Sequence, residues 1–160
     1  MLVYRVIATI IMFSSLSVSA EVISKSCINR VADVDHKRAI IIANSALDIG
    51  LQAESSSVGG DYADRLIGNV AAEKSFAVIN LLDHITDLAV LWKFVKHSKE
   101  VDDIYLGQLK ITLDLIKSVV DQDVNYINLA IPKIKNDRLR EELKDLRNNL
   151  SSMRSDLSCQ

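Results

Sequence analysis

The sequence predicts an all-α protein, an antiparallel bundle of about four helices. Apolar residues recur at three- and four-residue steps along nearly the whole chain after residue 20, which is the period of an amphipathic helix. Hydrophobic residues make up 49% of the chain and aromatics only 5%. With five glycines and one proline, the chain lacks the turn residues that a sandwich or barrel would need about every 8 to 12 positions.

The first twenty residues stand apart from this pattern. Arg5 precedes an apolar run from Val6 to Phe13, and Val18 and Ala20 stand three and one positions before Glu21, as at a secretory cleavage site. The run is shorter than the roughly 20 residues that cross a bilayer, so cleavage after Ala20 is expected rather than a retained anchor. Residues 21–160 then form one domain of 140 residues, a length at which one core buries about two thirds of the unfolded surface. Loss of Arg5 takes the formal charge from −2 to −3. Such a balance builds no basic field for nucleic acid, and no such partner is expected.

The first helix is expected over about 28–54, on a stripe of Ile28, Val31, Ala39, Ile42, Ala46, Ile49 and Ala53 that Asp35 interrupts. Ser55-Ser56-Ser57-Val58-Gly59-Gly60 reads as a loop, and Asp61 as the cap of the next helix. The second helix, about 62–96, repeats Val78, Leu81, Ile85, Leu88, Trp92 and Val95 and is apolar around most of its circumference, which predicts a central position. Asp83, His84 and Asp87 inside it argue against a stable membrane span, since each carboxylate at a bilayer centre costs about 2.5 to 3.5 kcal/mol. The third helix, about 100–129, carries Leu109, Leu113, Ile116, Val120 and Ile127 before Pro132 marks a boundary. The fourth follows the unbroken seam Leu139, Leu143, Leu146, Leu150, Met153 and Leu157.

Export to an oxidising compartment makes Cys27 and Cys159, the two cysteines of the chain, candidates for a disulfide. In an up-and-down bundle the start of the first helix and the end of the fourth fall at one end. A bridge there would close a loop worth about 4 to 5 kcal/mol in the chain-entropy model. The alternatives are a disulfide between two chains and a pair of free thiols.

No phosphate loop, nucleophile elbow, HExxH or haem-attachment motif occurs, and neither an enzymatic activity nor a cofactor is expected. The constellation that stands out is Asn80, Asp83, His84 and Asp87, whose spacing puts four polar side chains on one narrow face of the second helix. A solvated face is the plainer reading. The alternatives are a buried polar network that binds a partner group and a metal site built from Asp33, His36, His84 and Asp87 between the first two helices. His97 and Glu100 straddle a helix end and read as surface charges, and Asn149-Leu150-Ser151 is a glycosylation sequon inside a predicted helix.

Two functions are therefore expected as alternatives. The first is an exported interaction protein, secreted or periplasmic, that binds a protein partner through a helix face. Tyr62, Trp92, Tyr105 and Tyr126 are its candidate anchors, and the seam of the fourth helix is a candidate homodimer surface. The second is a carrier of a small hydrophobic ligand between the helices, which needs a cavity of about 300 to 1,000 Å³.

Overall fold

The computed structural model describes residues 25–58 and 61–157, with side chains described from residue 37 onward, Ser57 excepted. Segment 1–20, Cys159 and the side chains of Cys27, Asp33, Asp35 and His36 therefore lie outside the described residues. Four helices follow in order: α1 (Lys25–Val58), α2 (Tyr62–Phe94), α3 (Lys99–Ala130) and α4 (Asp137–Asp156), with a 3-10 turn at Ile131–Lys133. Short connections reverse the chain each time, and α4 packs on both α3 and α1. The described residues are all-helical apart from turns, as the periodicity predicts.

Each helix start after the first has a side-chain cap. Asp61 accepts from the Asp64 amide at 3.5 Å, Ser98 from Val101 at 3.3 Å and Asn136 from Leu139 at 3.1 Å, satisfying amides that lack an intrahelical partner. Pro132 sits at the start of the 3-10 turn, where its missing N–H breaks no helical bond.

Two boundaries depart from the sequence expectation. α1 continues through Ser55 and Ser56 to Val58 instead of ending at 54, because the Ser55 and Ser56 hydroxyls donate back to the Gln52 carbonyl at 2.8 and 3.0 Å. Ser56 is also buried under α4 and accepts from Asn136 Nδ2 at 2.8 Å, a tertiary contact that holds the last turn. α2 ends at Phe94 rather than at 96, since Val95 turns to an extended conformation and leaves Lys96 and His97 in the connection.

The seam of α4 is buried without remainder: Leu139, Leu143, Leu146, Leu150, Met153 and Leu157 are each 0% exposed. That corrects its reading as a homodimer surface, because α1 and α3 already cover it. With 20 residues α4 runs about 30 Å, against about 50 Å for the 32 to 34 residues of its neighbours. Arg38 to Asp156 at 2.7 Å and Arg154 to Asp121 at 2.5 Å mark where its last turns lie on α1 and α3. Beyond that level, toward the α2–α3 connection, the described residues hold three helices rather than four.

The opposite end is locked by Asp64, which is 0% exposed. Its carboxylate accepts the Lys135 amide at 3.1 Å on both oxygens and the Asn136 amide at 2.7 Å, so a residue of α2 fixes the turn from which α4 starts. Nearby, Lys135 Nζ reaches Asp61 at 3.1 Å, and this hydrogen bond holds the Asp61 carboxyl below its ordinary range.

Gly68 lets α1 approach α2 at this end. A Cβ there would lie 2.6 Å from the Ala53 Cβ and 3.3 Å from Leu139 Cδ1. Gly68→Ala gains at most about 1 kcal/mol of helix propensity. Overpacking costs about 1 to 3 kcal/mol, and the contacted Ala53 Cβ cannot swing away. Chemical denaturation is therefore expected to show net destabilisation for Gly68→Ala and a gain of up to about 1 kcal/mol for Gly107→Ala, whose added methyl meets nothing within 4 Å. Equal stability changes at the two positions would refute the close-approach explanation.

Candidate functional site

The polar stripe of α2 faces outward. Asn80, Asp83, His84 and Asp87 are all exposed, and none of the four makes a side-chain hydrogen bond or ion pair among the described residues. Among the described residues no three of His, Cys, Asp and Glu stand close enough to hold a metal ion. Asp33 and His36, the other two candidate ligands, have side chains outside the described residues.

The proposed aromatic anchors separate into different roles. Tyr62 is 70% exposed, whereas Tyr105 is 8% exposed and belongs to the core. Tyr126 is half-buried and donates its hydroxyl to the Ile67 carbonyl at 3.3 Å, tying α3 to α2. Trp92 is half-buried near the end of α2, its ring 4.3 Å from that of Tyr105 and 4.5 Å, edge-on, from that of His97. His97 in turn hydrogen-bonds Asp102 at 2.9 Å, so the α2–α3 connection is folded around the indole. Burial raises the Tyr105 hydroxyl to about 12, and that hydroxyl has no hydrogen-bond partner among the described residues.

Beside this cluster the ends of α2 and α3 leave an open apolar cleft of about 270 Å³, lined by Leu88, Leu91, Val95, Val101, Ile104, Tyr105 and Gln108. Gln108 is the one lining residue with a polar side-chain amide. Leu91 and Ile104 are 57% and 63% exposed, and Phe94 beside them is 81% exposed. The sequence marks these positions as members of apolar stripes, but the stripes do not reveal which members stay uncovered. A second cleft of about 310 Å³ lies at Tyr62, Arg65, Leu66 and Asn69, where Arg65 and Asn69 both donate to Glu54 at 3.1 Å. Both hydrogen bonds, with Asn69 the stronger cause, lower the Glu54 carboxyl.

α2 is also long and apolar enough to cross a membrane by length and composition, with an 18-residue window of mean hydropathy 1.3. In the fold it packs against α1 and α3.

A further ion pair joins α2 to α3, and neither partner lines the two clefts. Asp123 on α3, 2% exposed, places Oδ1 3.4 Å from Lys74 Nζ, while its Oδ2 is buried without a hydrogen-bond partner. Lys74 also lies 5.9 Å from the centre of the Tyr126 ring. Burial raises the Asp123 carboxyl, and the Lys74 ammonium opposes that rise without cancelling it. Lys74 on α2 and Asp123 on α3 thereby tie the two helices together.

In comparisons with known proteins the chain matches no family model, no curated protein and no solved structure.

Folded Asp123 takes up a proton at a higher pH than the unfolded side chain, whose ordinary value is 3.8. Its contribution to stability is complete below that value and is lost as pH rises through the folded one. Asp61 and Glu54, both lowered, act in the opposite sense, so the wild-type profile is a sum and the difference from Asp123→Asn isolates the buried group. Denaturation of both proteins between about pH 4 and pH 7 is expected to show the wild type losing stability relative to the variant as pH rises. Parallel profiles would contradict burial as the cause.

Proposed function

We propose that this chain is an exported, non-enzymatic interaction protein that binds a protein partner through the exposed end of its α2–α3 hairpin. The observation that carries the reading is the apolar cleft at that hairpin, with Leu91 and Ile104 of its lining and Phe94, three residues after Leu91, each more than half exposed. Contiguous exposed apolar surface on a folded chain marks binding sites, and helix faces serve this purpose by offering side chains at fixed spacing. The mature chain begins at Glu21, and a disulfide between Cys27 and Cys159 closes the bundle. Support for the bridge comes from the antiparallel order of α1 and α4 and from the Arg38–Asp156 pair, which sets the end of α4 against α1. Cys27 precedes Arg38 by eleven residues, about 16 Å of helix, and three extended residues reach about 10 Å, so the bridge requires the last residues to run along α1 toward its start.

A second reading is favoured by the same cleft: its apolar lining and volume of about 270 Å³ suit part of a small hydrophobic ligand. The cleft opens on the surface rather than inside the bundle core, and this favours the protein partner.

One experiment separates the readings. A photo-crosslinking amino acid replaces Phe94 in an exporting host, and the product is weighed intact without reductant. The expected product joins a protein to a chain that starts at Glu21 and is about two daltons light for one internal disulfide. An adduct of lipid-like mass would favour the carrier. Absence of any adduct would contradict both readings, and a chain that retains its first twenty residues would contradict processing.

A further inference from the structure

We propose that the groove between α2 and α3 holds a basic amphipathic helix of another protein, its apolar stripe on Leu88, Leu91 and Ile104 and its lysines or arginines against the carboxylates on either bank. The inference rests on the interaction reading above and names the chemistry of the partner.

The apolar floor extends well past the cleft. On α3, Ile111 and Leu115 follow Ile104 at seven and eleven residues and are 62% and 48% exposed. On α2, Leu81 precedes Leu88 by seven and is half-buried, with exposed His84 between them on the same row. From Val95 back to Leu81 is fourteen residues, about 21 Å of groove, enough for about four turns of a docked helix.

Both banks are acidic. Asp83 and Asp87 on α2, with Glu100, Asp103 and Asp114 on α3, are exposed, and none of the five forms an ion pair among the described residues. At about 100° per residue Asp87, Glu100 and Asp114 flank the apolar rows, while Asp83 and Asp103 lie farther round, Asp103 on the face that also carries Lys99 and Lys110, and Lys93 falls on the far face of α2. Exposed His84 and half-buried Lys110 are the basic groups left near the groove, and Lys96 stands in the connection at its end.

This charge pattern selects among occupants. An anionic membrane would be repelled by the banks, and a neutral apolar molecule would leave them without a partner. Among the described residues the exposed α1 stripe of Ile40, Leu47 and Leu51 carries Asp48 and Glu54 beside one base, Lys37, so that face of a second copy would not complement the banks. A helix whose apolar stripe is flanked by cations satisfies both floor and banks.

The test uses synthetic amphipathic peptides of roughly 18 residues, long enough to form a helix on contact. One set has lysine flanks and the other glutamate flanks on the same leucine stripe. Trp92, the one tryptophan of the chain, reports binding because it stacks on the cleft residue Tyr105. The lysine peptide is expected to bind roughly tenfold tighter or better, with the advantage collapsing near 1 M salt, where charges are screened within about 3 Å. Asp87→Asn, Glu100→Gln and Asp114→Asn together are expected to remove the preference while retaining apolar binding, and Leu91→Ser with Ile104→Ser to abolish binding of both peptides. Far-UV circular dichroism of each variant, all at exposed positions, checks that it folds. Equal affinity for the two peptides would overturn the basic-helix inference and leave the groove as an interaction surface. Failure of both peptides to bind would overturn it as well, with crosslinking from position 94 deciding the interaction reading separately.

Discussion

Asp64 sits with 0% of its surface exposed and takes the amides of Lys135 and Asn136 onto its carboxylate. A buried carboxylate left without donors would cost several kcal/mol, so the position is tenable only because these amides point at it. The same contact supplies partners to two amides that precede a helix and would otherwise be unpaired. Asn136, thus held, caps α4 through Leu139 and reaches across to Ser56 at the end of α1. One carboxylate therefore connects the starts of α2 and α4 with the last turn of α1, and the register of the α4 seam follows from it.

From this end the bundle grows less constrained. Around Gly68 the helices touch at the closest approach that a missing side chain permits, and α4 fills the gap between α1 and α3 with six fully buried side chains. After α4 stops, the α2–α3 hairpin continues, and Trp92 closes its end with its ring against that of Tyr105 and edge-on to that of His97. Aromatic pairs contribute about 0.5 to 1.5 kcal/mol beyond their area. The outer side of that hairpin keeps its leucines and isoleucines exposed, with carboxylates outside them.

The helices were legible in the sequence because a bundle seam repeats at the helix period, and α4 shows this most clearly: every residue from Leu139 to Leu157 in its stripe is fully buried. Short-range chemistry was legible too, as with Asp61 at the start of α2. The serines at 55 and 56 misled because local composition favours a loop there, while Gln52 and the distant Asn136 keep them helical. Asp64 and Gly68 carried no sequence signal, since their partners lie on other helices and only packing brings them together. The α2 stripe of Asn80, Asp83, His84 and Asp87 was readable as an exposed face, but the groove beside it was not, because exposure of Leu91 and Ile104 depends on which helix stops short.

Native-state hydrogen exchange tests the locked end most directly, residue by residue. If the Asp64 carboxylate fixes the start of α4, the amides of Lys135 and Asn136 exchange as slowly as the buried-seam amides of α4, although both precede the helix. If instead those two amides exchange as fast as those of the α2–α3 connection, Asp64 is not the constraint on which the bundle depends.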